Sequence, residues 1–325
     1  MRRKRKTSGV KKTLKYTALA GAGAFAAATA FFFKGAVCRK AKGKGFFMFQ
    51  APDELEAYKH EIAEGKEWLK EMEPTSEYWM IRSHDGLLLE ARFLPAEKET
   101  NKTVLAVHGY LSDGERDYAV IARFFHEAGY NVLLLDNRAH GASEGKYIGF
   151  GCLEREDCYR WIQYLNRKYG GNCEIFLHGI SLGAAAVLMT SELNLPPSVK
   201  GMVADCPYTS PAEVFETIAK ERKIPGILRK LLLIGVDIAC RMFAGYGLGD
   251  CSAEEAVTRT KLPLLLIHGD QDRLIPSWMS KKIYDACVSK KELWIVKGAD
   301  HAEAFYYDPA EYERRVKAFF EACEK

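Results

Sequence analysis

The feature that most constrains the fold is an alternation of short apolar runs with segments of helical spacing. Continuous apolar strands separated by helices are typical of a parallel sheet that helices cover on both faces. With 325 residues and 48% hydrophobic content, the chain is long enough for one large α/β domain. The predicted strands are 103–110, 131–138, 174–181, 199–208, 262–272 and 291–301.

Two further segments complete the predicted domain, which we place at residues 76–325. From Glu77 the sequence "EYWMIRSHDGLLLEARFLP" predicts two strands joined by a turn at residues 84–86. Between residues 209 and 260 a helical pattern interrupts the alternation and contains the apolar run "ILRKLLLIGVDIACRMF". We interpret this insertion as a lid over the sheet edge, with the alternative that the run is part of the core.

Charge divides the chain into a basic tail and an acidic globule. Residues 1–44 contain 13 of the 47 Lys and Arg residues and no Asp or Glu. The remaining residues therefore carry 34 basic against 43 acidic side chains. Because nucleic acid binding needs a basic excess, we expect no nucleic acid partner for the globule.

The basic tail contains an uncharged run at residues 16–33 that follows eight basic residues. As a helix it would span roughly 27 Å, enough for the hydrocarbon core of a bilayer. We predict a single membrane-anchor helix, with the globule on the extracytoplasmic side according to the positive-inside bias. Alternatives are a cleavable signal peptide with a site at Ala28-Thr29-Ala30, a lipoprotein signal before Cys38 that Val37 disfavours, and a buried or amphipathic helix.

Residues 45–75 are predicted to link the anchor to the domain. An aromatic patch (Phe46, Phe47, Phe49) precedes a charged, amphipathic helix from about Pro52 to Glu73.

The nine cysteines are scattered, and they form neither a CxxC pair nor a zinc-ligand spacing. Several, such as Cys158, Cys173 and Cys206, fall in predicted strands or helices, where a free cysteine acts as a small hydrophobe. This favours a reduced protein over a disulfide scaffold, and it counts against an oxidising exterior.

The stretch "HGISLGAAAV" places Ser181 between Gly179 and Gly183, where the third parallel strand gives way to a helix. A sharp, strained turn there would expose the serine hydroxyl and direct the helix N-terminus at a developing oxyanion. Glycines two residues before and after remove Cβ atoms that would collide with neighbouring backbone. A plain structural turn is the alternative, but the flanking strand and helix favour a nucleophile.

A nucleophilic serine needs a histidine base and an acid that orients it. His301 follows the last strand. At the other strand ends His108, His178 and His268 are expected to serve packing and hydrogen bonding, and His140 is expected to brace its loop. Asp272 is the predicted acid because it follows a strand and lies between the other two in sequence.

Three other aspartates lie near the same strand ends. Asp270 is expected to cap the turn, Asp205 is the alternative acid, and Asp300 is expected to point away from the base. Two backbone N–H groups must stabilise the oxyanion, and we assign them to Leu182 and Tyr110. The Tyr110 ring is expected either to line an acyl pocket or to lie on the surface.

From about Tyr78 to Cys323 the chain resembles the α/β-hydrolase superfamily, in particular its membrane-anchored bacterial cell-surface branch. The motifs "AVHGYLSDG", "LLLDNRAHGASEG", "HGISLGAAAV", "LLIHGDQDRLIP" and "GADHAEAF" carry this resemblance. It implies Ser181 as nucleophile, Asp272 as acid and His301 as base. Ala139 departs from the family's frequent glycine, in a loop outside the chemistry.

The sequence thus predicts a serine hydrolase of carboxylic esters that needs neither a metal nor a cofactor. Its expected partners are a small acyl ester and, through the N-terminal segment, a membrane. Peptidase, thioesterase or acyltransferase chemistry on the same three residues is the first alternative. A non-catalytic, membrane-tethered binding module is the second.

Overall fold

The computed structural model describes residues 3–40, 46 and 55–324, and for residues 3–15, 17–20 and 56 it describes the backbone alone. Within these residues the strands are β1 (Glu77–Arg82), β2 (Leu88–Leu94), β3 (Lys102–Val107), β4 (Asn131–Leu135), β5 (Glu174–Ile180), β6 (Val199–Asp205), β7 (Leu264–Gly269) and β8 (Lys291–Val296). The α-helices are α1 (Arg3–Ala36), α2 (Lys59–Glu71), α3 (Gly114–Tyr118), α4 (Ile121–Glu127), α5 (Glu154–Lys168), α6 (Leu182–Thr190), α7 (Pro211–Glu221), α8 (Gly226–Ala239), α9 (Ala253–Ala256), α10 (Trp278–Ala286), α11 (Ala304–Tyr307) and α12 (Pro309–Cys323).

The strands of the described residues form one sheet in the order β1-β2-β4-β3-β5-β6-β7-β8. The β1–β2 and β2–β4 pairs are antiparallel, and every other neighbouring pair is parallel. The mostly parallel α/β sheet predicted from the apolar runs is therefore confirmed, as is the β1–β2 hairpin around residues 84–86. The parallel arrangement brings the carboxyl ends of β3, β5, β6, β7 and β8 to one edge, where sites in such sheets form.

The core has two layers, one on each face of the sheet, because successive strand residues point to opposite sides. Leu177 belongs to the layer that contains Trp161 of α5, whereas the adjacent Phe176 belongs to the layer that contains Phe125 and Phe320. All five side chains are buried. Central strands that bury both faces read as unbroken apolar runs, which is the pattern seen in the sequence.

Several predicted boundaries differ from the structure, since the parallel strands end one to five residues earlier than predicted. The helix expected over 114–128 is divided into α3 and α4, and β4 ends at Leu135 rather than at residue 138. Polar residues that end the apolar run leave the sheet because they bond to neighbouring loops. The Asn137 side chain, for example, donates to the carbonyl of His108 (2.9 Å).

Residues 209–260, predicted as a lid, lie between β6 and β7 and contain α7, α8 and α9. A π-type turn, Cys240–Ala244, continues α8. One side of α8 is buried through Leu232, Val236 and Ala239, so the apolar run is partly core. Assignment of the insertion as a lid stays a prediction.

The N-terminal helix α1 is longer than the predicted span and ends against the body of the protein. Phe33, Ala36 and Val37 are buried, and the next residue, Cys38, forms a β-bridge with Tyr147. Among the described residues no helix combines the length and apolar character needed to cross a bilayer. Within the predicted linker, Phe46 is buried, whereas Phe47, Phe49 and Pro52 lie outside the described residues.

Cysteine pairing differs from the sequence expectation. Cys152 and Cys251 form a disulfide across a separation of 99 residues, so the expectation of reduced cysteines is wrong for this pair. The bond links the loop before α5 to the end of the 209–260 insertion. Cys158, Cys173 and Cys206 are free and buried, as predicted for small hydrophobes.

Candidate active site

Ser181 occupies a strained turn between β5 and α6. Its backbone φ is 54° and its ψ is −111°, a positive-φ conformation that is unusual for a residue other than glycine. A Cβ atom on Gly183 would overlap the carbonyl oxygen of Val107, and one on Gly179 would overlap the backbone of Gly183. The predicted reason for both glycines, close passage of backbone, is therefore confirmed.

His301 contacts both partners expected of a base. Its Nε2 lies 2.9 Å from the Oγ of Ser181, and its Nδ1 lies 2.7 Å from a carboxylate oxygen of Asp272. An ionised carboxylate only accepts, so Nδ1–H donates to Asp272 and Nε2 accepts from the serine hydroxyl. This arrangement can pass a proton from serine to histidine.

The Asp272 carboxylate is held on several sides. The backbone N–H groups of Leu274 and Ile275 donate to one oxygen at 2.9 and 2.7 Å. The other oxygen accepts from His301 and lies 3.1 Å from Nε2 of His268. Although burial raises the pKa of this carboxyl, the charge of His301 and these bonds outweigh it, and the pKa lies well below its usual range. Asp272 is thus an anion throughout the pH range in which His301 gains or loses its proton.

Electrostatics also determine the pKa of the base. Burial lowers the pKa of His301, but the adjacent Asp272 anion dominates and holds the pKa well above the ordinary value of 6.5. A raised pKa makes the histidine a stronger proton acceptor once it is neutral.

The other three aspartates lie elsewhere. Asp270 accepts from the N–H of Gly298 at 2.7 Å, so it bonds to the turn after β8 rather than to the backbone of its own turn, which the sequence had suggested. Asp300 bonds to the backbone N–H of Arg273 (2.9 Å) and forms an ion pair with that arginine. Asp205, the alternative acid, accepts from the Tyr312 hydroxyl at 3.1 Å rather than bonding to His301. The acid beside the base is therefore Asp272.

The predicted oxyanion donors belong to two segments next to Ser181. Leu182 is the first residue of α6. Tyr110 follows Gly109, where an added Cβ would lie 3.5 Å from the Cβ of Ser181, so this loop runs beside the serine. The N–H of Gly109 donates to Asp117 (2.7 Å) and that of Leu111 donates to His140 (3.1 Å), which fixes the backbone around Tyr110. Donation by Leu182 and Tyr110 to a substrate stays a prediction.

The Tyr110 ring points towards the N-terminal segment. Its hydroxyl donates to the carbonyl of Ala36 at 2.8 Å, and its ring lies 5.4 Å from that of Phe150. Phe150 in turn contacts Phe215 of α7 at 4.8 Å between ring centroids. A row of aromatic rings therefore joins the loop beside Ser181 to the 209–260 insertion.

The remaining strand-end histidines serve hydrogen bonding, in agreement with the sequence interpretation. His108 accepts from the N–H of Asn137 (3.0 Å). His178 bonds to the hydroxyls of Tyr118 and Tyr312 at 2.8 and 2.9 Å. His268 contributes more than expected, because its Nε2–H also donates to the carbonyl of Ile275 (2.7 Å) and so steadies the loop that carries the acid.

Cys206 is a neighbour of the base that sequence reasoning missed as a site residue. Among the described residues its sulfur, a carboxylate oxygen of Asp272 and a ring nitrogen of His301 lie within 4.8 Å of one another. Such a trio could ligate a soft divalent ion, but only by competing for the groups that orient the base. Burial raises the pKa of the thiol to about 12, so at neutral pH it adds no charge to the site. The only sequence signal was its place directly after Asp205, at the end of β6.

Comparison with solved structures identifies the architecture. The esterase Pf2001 from Pyrococcus furiosus superposes with a TM-score of 0.60 at 25% identity, over 78% of this chain and 94% of that chain. The chain has the α/β-hydrolase fold. Est1E from Butyrivibrio proteoclasticus, solved with ferulic acid bound, shows the same fold at 19% identity and a TM-score of 0.57, over 75% of this chain and 98% of that chain.

Sequence comparisons agree with the structural ones. Residues 98–241 of this chain match the family model described as serine aminopeptidase, S33. An uncharacterized protein of Bacillus subtilis, YqkD, is 25% identical over 227 residues, which are 70% of this chain and 73% of that protein. The human protein ABHD12B is 28% identical over 199 residues, 58% of this chain and 51% of its own length. Together these similarities support hydrolase activity.

Proposed function

We propose that the hydrolase is a serine esterase that cleaves carboxylic esters through an acyl-serine intermediate on Ser181. The observation that carries the proposal is the pair of bonds from His301, 2.9 Å to Ser181 and 2.7 Å to Asp272. One imidazole thereby connects the hydroxyl to be deprotonated with the anion that stabilises the resulting imidazolium.

Acylation follows from these contacts. Nε2 of His301 takes the hydroxyl proton while Oγ of Ser181 bonds to the acyl carbon, and the carbonyl π electrons move to oxygen as an oxyanion. The N–H groups of Leu182 and Tyr110 are the proposed donors to that oxyanion. When the intermediate collapses, the bond to the leaving alcohol breaks and His301 protonates its oxygen.

Deacylation uses the same groups with water as the nucleophile. His301 accepts a proton from water, hydroxide adds to the acyl carbon, and the bond to Oγ of Ser181 breaks. The proton returns to Oγ, and the carboxylic acid leaves. Asp272 stays ionised throughout because it holds the Nδ1–H tautomer in place.

An acyl or aromatic substrate portion fits the surroundings. Tyr110, Phe150 and Phe215 form a connected aromatic row beside the predicted oxyanion loop. Aromatic side chains so close to the serine favour an apolar acyl group over a charged one.

Active-site labelling tests the proposal. A fluorophosphonate probe should label the purified wild-type protein and fail on Ser181→Ala. Ser277→Ala is the matched control, since Ser277 makes no side-chain cap bond at the start of α10. Equal labelling of Ser181→Ala and wild type would remove Ser181 as the nucleophile.

Amide hydrolysis is the second candidate, favoured by the description of the matching family model. Short and long p-nitrophenyl esters should be compared with aminoacyl p-nitroanilides on wild type and Ser181→Ala. We expect kcat/KM to be highest for an ester with an apolar acyl chain. Preference for the anilides would replace the esterase assignment with a peptidase.

A further inference from the structure

Helix α8 carries an apolar stripe on the side that faces away from the core. Ile227, Leu231, Ile234 and Ile238 follow helical spacing, and Met242 continues the row into the next turn. Their exposed fractions lie between 46% and 80%. The outward side of a helix on a soluble domain is ordinarily polar, so this row marks an interaction surface.

The stripe is not required by the core. The opposite side of α8 buries Leu232, Val236 and Ala239 against the rest of the protein. A helix that needed only to pack on the domain would be complete with that side alone. The outward row is therefore a second apolar face of the same helix.

Helix α1 enlarges this surface. A Cβ atom on Gly235 of α8 would overlap the side chain of Thr29 and contact Phe25, so the two helices lie in close contact. Phe33 of α1 and Phe243 reinforce the contact with ring centroids 5.8 Å apart. The side chain of Phe25 is itself exposed. We define the α1/α8 surface by Phe25, Ile227, Leu231, Ile234, Ile238 and Met242.

Positive charge borders the α1/α8 surface although the globule is acidic overall. Residues 220–230 contain five Lys or Arg residues and a single acid, Glu221. Of the five, Lys220, Arg222, Lys223 and Lys230 are exposed. The sequence of residues 1–44, which includes α1, adds 13 basic residues and no acid. Apolar side chains beside basic ones suit a lipid surface with anionic headgroups.

We propose that the α1/α8 surface docks on an anionic lipid bilayer, with both helices in its interfacial layer. A second copy of the chain would share the basic charge and be repelled, whereas anionic headgroups complement it. The apolar row enters the acyl boundary, and the neighbouring lysines and arginines stay among the headgroups.

Docking would also orient the site, an extension that rests on the proposed function. The end of α1 touches the loop beside Ser181 through the bond from Tyr110 to the carbonyl of Ala36. Helix α1 therefore connects the docked face to the loop beside the serine. The substrate class this favours is an acyl ester dissolved in the bilayer rather than one free in water.

Lipid contact can be measured on the full-length chain without using activity. Ile234→Trp should add tryptophan emission that brominated phosphatidylglycerol vesicles quench by about half, relative to the same vesicles without bromine. Val288→Trp is the matched control, because Val288 is 68% exposed and lies outside the α1/α8 surface. The same pair in a Ser181→Ala background separates docking from catalysis.

A charge variant supplies the second readout. Ile234→Glu with Ile238→Glu should weaken partitioning onto phosphatidylglycerol vesicles about tenfold and leave hydrolysis of a soluble short ester unchanged. Emission from Ile234→Trp that bromolipid does not quench would overturn the proposal. A dimer in light scattering that Ile234→Glu dissociates would overturn it as well, because a second copy would then cover the face.

Discussion

Asp205 offers a direct test of how burial raises the pKa of a carboxyl group near the site. The side chain is 2% exposed, and one oxygen accepts from the Tyr312 hydroxyl at 3.1 Å. The other oxygen has no hydrogen-bond partner among the described residues. Burial raises the pKa of this carboxyl from 3.8 to about 6, since ionisation leaves a charge poorly compensated inside the protein.

A raised carboxyl pKa makes stability depend on pH in a known direction. The folded protein binds the proton more tightly than the unfolded chain, so the contribution favours folding below the unfolded pKa and is lost as pH rises through the folded pKa. The full shift corresponds to about 3 kcal/mol in the free energy of unfolding. Of this, about 2 kcal/mol should disappear between roughly pH 4.5 and pH 8.

The substitution Asp205→Asn removes the titration while keeping an oxygen for Tyr312. Urea unfolding at several pH values should show wild type losing about 2 kcal/mol more than the variant from roughly pH 4.5 to pH 8. A cost of burying the amide that does not depend on pH cancels, because only the change in unfolding free energy with pH is compared. Asp285→Asn, on the exposed side of α10, is the control. A difference between wild type and Asp205→Asn that does not change with pH would refute the reasoning.

Three further variants test other parts of the fold and site. Asp272→Asn should lower kcat/KM about 10⁴-fold near pH 7. It should also move the acid limb of residual activity to lower pH, because the anion that raises the pKa of the catalytic histidine is lost; an unmoved limb in the pH–rate profile would contradict this. Gly183→Ala places a Cβ on backbone at the end of β3, so urea unfolding should show a loss of about 3–5 kcal/mol. Gly226→Ala has open space and should be near neutral, and similar values for both would be inconsistent with the clash. Cys152→Ala with Cys251→Ala opens a 99-residue loop and should lower the free energy of unfolding by about 3–5 kcal/mol, measured against wild type without reductant. Equal stability of the two proteins would show that closing this loop does not stabilise the fold.

The sheet and the three site residues could be predicted because their signals are local. Apolar runs of strand length identify buried parallel strands, and Ser181, Asp272 and His301 each follow such a run. Since parallel strands share one carboxyl edge, residues far apart in sequence are expected to meet there. The strained turn at the serine could be predicted as well, because Gly179 and Gly183 flank it at positions where only glycine fits.

The features that could not be predicted depend on which side chains face each other. Nothing local distinguishes Cys206, beside the base, or the disulfide-bonded Cys152 from the free cysteines of the core. The run in α8 illustrates the same limit, since its composition suits a core helix whereas half of its apolar residues face outward. Which cysteines pair, and which side of a helix faces the core, are tertiary properties that the periodicity of a sequence does not encode.

The disulfide between Cys152 and Cys251 has a consequence for how the chain tolerates cutting. The covalent ring that it closes contains Ser181, α7 and the exposed helix α8, while Asp272 and His301 lie outside it. A protease that cuts once within α8 therefore leaves two polypeptides held together as a single molecule, with nucleophile and base on different pieces. Electrophoresis without reductant would show an intact band, and only reduction would reveal the cut.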